Sequence, residues 1–352
     1  MSRLWSDVVG NLAPYVPGEQ PRAGTYIKLN TNENAYGPSP LALEAIAEAN
    51  TQQLCRYPDP GSSALRKAIG ASLDVSESEV FLGNGSDEVL AHVFHGLLKH
   101  VRPTMFPDVT YGFYASYCRL YGINAIAVPL DEALRVKPET YAGAGAVILA
   151  NPNAPTGIAL SADDIEHLLL QDPERPVVID EAYVDFGAES VVPLVRRYPN
   201  LLVVQTFSKS RALAGLRVGF AVGQRPLIEA LERIRDSFNA YPLGRLAQAG
   251  ALAAWHDTSW LGRHRQLIID SRSELIAQLL AGGWQVFPSS ANFIFAGSPG
   301  TSGQRIASQL RDAGILVRHF PGPRTEPFVR ITIGTTAECL ALSQALASLP
   351  TL

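Results

Sequence analysis

The sequence predicts an α/β protein: a mostly parallel central sheet sandwiched by helices, with a smaller α+β unit at its C-terminal end. Three observations lead there. Apolar runs at 80–82, 104–106, 146–149, 177–179, 201–205 and 218–222 lack the polar alternation of a half-exposed strand, as strands buried on both faces do. Amphipathic helical stretches separate them, which is the order that builds a parallel sheet under two helical layers. After about residue 240 the pattern changes to two long helices, 243–255 and 260–280, and then short strands at 284–287, 292–295, 315–318 and 328–333. With 352 residues, 47% of them hydrophobic and 18% charged, the chain has apolar mass for a large core. We divide it into an arm (1–35), a large unit (36–240) and a small unit (241–352).

Each element has a local reason. Residues 1–35 are rich in Pro, Gly and Asn, show weak periodicity and read as an arm that lies on something else. Pro38-Ser39-Pro40 opens a helix over 41–49, and Cys55 to Gly61 is a turn-rich loop. After the run 80–82, Val89, Leu90, Val93, Phe94, Leu97 and Leu98 recur near period 3.6, so a helix follows. A further helix spans 111–120. Ser161 with Asp164 resembles a capping box and opens the helix through Leu170, and Thr335 with Glu338 caps the last one.

Composition narrows the function. The formal net charge is −4, without a block of like charge, which argues against nucleic acid and against polybasic membrane attachment. Cys55, Cys118 and Cys339 are far apart and odd in number, so neither a zinc knuckle nor a disulfide framework is expected. There is no long apolar N-terminal stretch and no run of the roughly 20 residues a membrane span needs. A cytoplasmic protein without a metal is expected. His92 and His95 have the i, i+3 spacing of a ligand pair, but no third ligand is evident and both are assigned to a solvated helix face.

The chemistry concentrates at strand ends, where α/β sheets bind ligands. Lys209 follows the run 201–205 directly, with Ser208 before it and Arg217 eight positions on. A lysine flanked by two phosphate-binding groups suggests a covalently held, phosphate-bearing cofactor. Asp180 ends another buried run, and a buried carboxylate needs a cationic partner such as a pyridinium nitrogen. Lysine as Schiff base with aspartate on the ring nitrogen is the signature of pyridoxal 5′-phosphate. Gly83-Asn84-Gly85-Ser86-Asp87 lies between a strand and a helix; it is either an ordinary turn or a helix start whose N–H groups face a phosphate. Tyr111 sits at the next strand-to-helix junction, where its ring can stack on a pyridine. Tyr114, Tyr117 and Tyr121 read as packing residues. Asn151 to Gly157 is a dense turn with two prolines, serving as a rigid corner or presenting Asn153 to the cofactor's phenolate oxygen, which Tyr183 can share.

Together these motifs resemble those of fold-type I pyridoxal-phosphate aminotransferases, and more narrowly those of histidinol-phosphate aminotransferases. The matching segments run from Leu12-Ala13-Pro14-Tyr15 to Arg330-Ile331-Thr332-Ile333-Gly334. Lys28 to Asn34, Tyr36 to Pro40 and Arg56-Tyr57-Pro58-Asp59 are typical of that family. The resemblance implies that Lys209 binds the cofactor and shuttles a proton, that Asp180 pairs with the ring nitrogen, and that Asn153 and Tyr183 meet the phenolate oxygen. It implies that Ser86, Asp87, Ser208 and Arg217 hold the phosphate, and that Tyr57 reaches it from the partner subunit of a homodimer. It gives Arg330 the anionic group of the substrate, with Arg318, Tyr15, Tyr241 and Asn34 completing the substrate site. The substrates would be histidinol phosphate and glutamate or 2-oxoglutarate, in histidine biosynthesis. One departure is Ala35, where the family usually carries proline. An aromatic amino-acid aminotransferase, a phospho-amino-acid decarboxylase and a non-catalytic binding protein on the same scaffold are the competing expectations.

Overall fold

The computed structural model describes residues 3–10, 12–22, 24 and 26–348. A seven-stranded sheet forms the larger layer. Its spatial order is Val80–Gly83, Gly219–Gly223, Leu201–Thr206, Val177–Asp180, Ala146–Ala150, Thr104–Pro107, Ala125–Val128. Gly219–Gly223 alone runs against the direction of the other six strands, so the expected mostly parallel sheet is what forms. Val177–Asp180 and Ala146–Ala150 are buried at every position because helices cover both faces. One face packs with Leu65, Ile69, Ile165 and Trp255, the other with Val89, Val93, Phe94 and Tyr117. Each such aliphatic side chain contributes roughly 1.5–3 kcal/mol by leaving water.

The smaller layer is an antiparallel sheet in the order Arg318–His319, Val329–Thr332, Phe293–Gly297, Gln285–Val286. Helices Thr258–Ala281, Gly303–Asp312 and Thr336–Ala347 supply Ile268, Leu275, Ile306 and Leu342 to its core. The helix Arg245–His256 instead buries Ala251, Ala254 and Trp255 in the larger layer. The expected strand over 315–318 is two short pieces. Ile315–Leu316 pairs in parallel with Ile27–Lys28 of the arm, and Arg318–His319 pairs with the antiparallel sheet. Two partners on different sheets force the break at Val317.

The arm is strapped down by side chains. Arg311 forks onto Glu19 (2.9 Å for one pair), Asn30 donates to the Glu19 carbonyl (3.0 Å), and Arg318 donates to the Val16 carbonyl (3.1 Å). The histidine pair departs from expectation at one position. His92 is only 4% exposed and packs edge-on against Phe81; burial and the cations beside it lower its pKa to about 4. His95 is exposed and stacks on Tyr121. The helix Gly85–Gly96 is buried on a wider arc than the apolar residues alone trace, and His92 falls inside it.

Candidate active site

Five parallel strands and their loops deliver polar groups to one edge of the large sheet, because the carboxyl ends of parallel strands share a side. There they line a cavity of about 220 Å³. Tyr15, Ser86, Asp87, Tyr111, Asp180, Tyr183, Ser208, Lys209, Arg217, Arg318 and Arg330 all border it.

Asp180 lies at its floor, 5% exposed. The Tyr114 hydroxyl donates to Oδ2 (2.9 Å) and the Ala182 N–H to Oδ1 (3.2 Å). Desolvation raises its pKa from 3.8 to about 6, against the pull of Tyr114, Ala182 and Lys209. Two neutral donors leave this carboxylate short of a cation, which is the deficit a pyridinium nitrogen fills. Burial and the adjoining carboxylates push the Tyr111 and Tyr114 phenols well up, so both stay protonated and donate. Tyr114 is therefore more than packing, and Tyr117 likewise donates to the Asp87 carbonyl (2.8 Å).

Lys209 Nζ lies 5.5 Å from the centre of the Tyr183 ring and 3.4 Å from the Thr31 carbonyl. The Tyr183 hydroxyl accepts from Asn32 Nδ2 (3.0 Å), and Asn32 is itself fixed by Thr332 (3.0 and 3.1 Å). The arm and the antiparallel sheet thus set the rotation of Tyr183.

At the helix start Gly85–Gly96, Arg217 pairs with Asp87 Oδ2 (2.8 Å) and reaches Ser208 Oγ (3.5 Å), while Tyr111 donates to Asp87 Oδ1 (3.0 Å). The Asp87 carboxylate is thereby engaged, and what it offers an anion is its backbone N–H in the unpaired first turn. A Cβ on Gly219 would stand 2.3 Å from the Ser86 nitrogen, and one on Gly85 would stand 2.5 Å from Arg217. Both glycines keep the N–H groups, hydroxyls and guanidinium together. This donor set fits a phosphate.

On the facing wall Arg330 donates to the Asn30 carbonyl (3.1 Å) and packs against Phe293 and Phe320, 5.4 and 5.2 Å from their ring centres. Among the described residues neither Arg318 nor Arg330 pairs with a carboxylate. Two guanidiniums over one cavity suit a planar or tetrahedral anion. Tyr15, which borders the cavity, packs at a tilt on Phe113 with ring centres 4.5 Å apart and stands 6.3 Å from Tyr111.

Four residues expected in the site do not line the cavity. Asn34 donates to the carbonyls of Lys209 (3.1 Å) and Ser210 (3.1 Å), so its amide fixes the lysine's backbone. Asn153 is held by the Val109 carbonyl (2.9 Å) and by Thr110 (2.8 Å), in a loop whose two X–Pro bonds are cis. Tyr57 and Tyr241 stack on each other at 4.5 Å, and Tyr57 is 78% exposed. Thr31, Asn32, Gln20 and Ala182 border the cavity without having been singled out in the sequence. Asn32 could have been found in the same Lys28 to Asn34 motif that gave Asn34.

Comparison with known proteins agrees with this geometry. Residues 24–346 match the family model described as aminotransferase class I and II. The chain is 60% identical over 347 residues to histidinol-phosphate aminotransferase 2 of Rhizobium meliloti, covering 98% of this chain and 99% of that one. It is 59% identical over 350 residues to histidinol-phosphate aminotransferase 1 of Bradyrhizobium diazoefficiens, covering 99% and 100%. Among solved structures, the histidinol-phosphate aminotransferase of Sinorhizobium meliloti in complex with pyridoxal-5′-phosphate superposes with a TM-score of 0.88 at 24% identity, covering 99% of each chain. Thermus thermophilus aspartate aminotransferase, in a tetra-mutant form, gives a TM-score of 0.83 at 21% identity, over 98% and 99%. At these identities the superpositions speak to the fold, which is that of fold-type I enzymes.

Proposed function

The chain belongs to the class I and II aminotransferases, and on that premise we propose that it transfers the amino group between histidinol phosphate and 2-oxoglutarate, using pyridoxal 5′-phosphate. This is the histidinol-phosphate aminotransferase reaction of histidine biosynthesis, the activity named for relatives at 54–60% identity over nearly the full length. The observation that carries the reading is the pairing of a cation-deficient Asp180 with Lys209 across a cavity roofed by Arg318 and Arg330.

The cofactor supplies an electrophilic carbon and an electron sink when bound. The remaining work falls to this chain's residues. Ser86 and Asp87 N–H, Ser208 Oγ and Arg217 anchor its phosphate. Asp180 holds the ring nitrogen protonated, and a charge-assisted bond of that kind contributes about 1.5–3 kcal/mol. Tyr111 would lie against a face of the ring and Tyr183 would donate toward its phenolate oxygen, both bordering the cavity, and Asn153 is proposed as a second donor to that oxygen. The Lys209 amine is the base that takes and returns the proton at the substrate's α-carbon. Arg330 and Arg318 grip the anion, a phosphate ester in one half-reaction and a carboxylate in the other. Amine delivered by one substrate is collected by the next, so the kinetics are ping-pong.

Tyr57 is assigned to the partner's site in a cytoplasmic homodimer. Its exposure and its absence from the lining of its own cavity support that assignment. No helix among the described residues is long and apolar enough to cross a membrane, and no cluster there could hold a metal ion.

The test is the ratio of kcat/KM for histidinol phosphate to that for phenylalanine. We expect histidinol phosphate to lead by roughly tenfold or more, since its phosphate ester presents more charge and more acceptor oxygens to the Arg330–Arg318 pair than the carboxylate phenylalanine would place there. A preference for phenylalanine overturns the assignment in favour of an aromatic amino-acid aminotransferase.

A further inference from the structure

Arg324 lies in the loop between Arg318–His319 and Val329–Thr332, outside the cavity lining. It reaches from the smaller layer to the larger one. Its Nη1 donates to Asp108 Oδ2 (3.0 Å) and Oδ1 (3.4 Å), and its Nη2 donates to the Asp131 carbonyl. Neither end is loose. Asp108 also accepts from the N–H groups of Val109 (2.9 Å) and Leu130 (3.0 Å), and Asp131 closes its own turn by accepting from Ala133 and Arg135. On the other side, Thr325 braces the loop through the Phe320 carbonyl (2.9 Å) and the Gly322 carbonyl.

What each anchor carries gives the contact its meaning. Asp108 begins the segment that holds Thr110 and the Val109 carbonyl against Asn153 and ends at Tyr111, the ring on the cavity wall. Arg324's loop begins at Phe320, whose ring lies 5.8 Å from the Arg318 guanidinium and 5.2 Å from that of Arg330. The two layers meet beneath this contact in an apolar cluster that includes Leu130, Leu134 and Val109 from one side and Phe295, Phe320 and Phe328 from the other. That cluster is non-directional, whereas a forked guanidinium on a fixed carboxylate and a fixed carbonyl sets one distance.

We infer that Arg324 is a positioning residue for the substrate. It clasps the Phe320–Thr325 loop to Asp108 and Asp131, and so fixes the separation between the arginine pair that grips the substrate's anion and the wall that carries Tyr111. The inference rests on the reading of Arg318 and Arg330 as that grip. A residue with this role acts on substrate binding and leaves the proton transfer at Lys209 intact.

The experiment uses the cofactor-loaded enzyme with Arg324→Met, which keeps most of the stem, and Arg324→Lys, which keeps the charge without the fork. KM for histidinol phosphate and for glutamate should both rise roughly fivefold or more in Arg324→Met, with kcat within about threefold and cofactor content unchanged. Arg324→Lys should fall between Met and the parent, and it carries the test if Arg324→Met does not fold. A KM within about twofold of the parent, or a loss confined to kcat, overturns the clasp. Calorimetric titration of inorganic phosphate into the loaded proteins gives a second readout free of turnover. Weaker binding by the variants supports the clasp, and equal binding overturns it. A parent enzyme that does not turn over histidinol phosphate sinks the substrate reading, and the phosphate titration then decides the clasp alone.

Discussion

Asp180 pays for its place in the cofactor-free protein. Its folded pKa, about 6, stands above the 3.8 of an exposed chain, so the folded form holds the proton more tightly. The contribution is harmless below 3.8, where both forms are protonated. Stability is lost as pH rises toward 6, and the loss stays constant beyond. Asp180→Asn removes it. In thermal unfolding of the cofactor-free protein, the variant's advantage should grow from nil near pH 4 to on the order of 2 kcal/mol above pH 6. The loaded enzyme should respond in the opposite sense, losing roughly ten- to hundredfold in kcat with the charge-assisted bond gone. A variant no more stable than the parent at pH 8 would show that Asp180 is not short of a cation. The strand-end position of Asp180 was legible because a carboxylate closing an otherwise apolar run, Val177–Asp180, has no local reason to be there. Its partner Tyr114 was not, since the 66 positions that separate the two are bridged only by the fold. The same holds for Asn32 and Tyr183, 151 positions apart.

Among elements, the helix Gly85–Gly96 and the strand Gly219–Gly223 have the least tolerance. Gly219 lets the strand pass so close to the helix start that a Cβ would meet backbone atoms of Gly85 and Ser86 at 2.5 and 2.3 Å. Backbone cannot rotate away as a side chain does. Gly219→Ala should therefore cost about 1–3 kcal/mol in urea unfolding and weaken cofactor binding through the displaced Ser86 and Asp87 N–H groups. Gly215→Ala, with no atom within 4 Å of the new Cβ, is the neutral control. Equal stability of the two variants would mean that the helix start is not built around Gly219. The periodic signal gave six of the seven strands of the large sheet within a residue or two, because unbroken apolar runs have few other uses; it missed the edge strand Ala125–Val128, where Ile126 and Ala127 are exposed and no unbroken buried run marks the strand. It missed the helices Ser63–Leu73, Arg225–Asp236 and Gly303–Asp312. The last two are strongly amphipathic, and their polar faces dilute the apolar runs by which strands announce themselves; the Ser302 cap and Pro226 in the first turn were the available signals. The arm strand Ile27–Lys28 is two residues long and exists only through Ile315–Leu316, so no local pattern encodes it.

At the scale of the whole molecule, the sequence marked a change of style near 240, while the packing continues the larger layer through Trp255. We accordingly propose that the small unit begins with Thr258–Ala281, since helix periodicity alone cannot say which core a helix joins. The assembly raises the same kind of question for Tyr57. Stacked on Tyr241 and 78% exposed, it leaves its own cavity lining without a contribution that the family resemblance assigns to it. In a two-fold dimer each site would draw Lys209 from one subunit and Tyr57 from the other. Hybrid dimers test this directly. Lys209→Ala loses its base at both sites, and Tyr57→Ala loses a phosphate ligand at both. When the two are unfolded, mixed and refolded together, half the dimers are hybrids, and one site in each hybrid has both native residues. Activity should then return to about a quarter of the parent's, measured at a cofactor concentration too low to load Tyr57→Ala alone. If both residues served the same subunit, the native Lys209 and the native Tyr57 would never meet, and mixing would restore nothing beyond the average of the two parents. Sedimentation of the mixture as a dimer makes the comparison fair, because recovered activity then reports which chain supplies Tyr57.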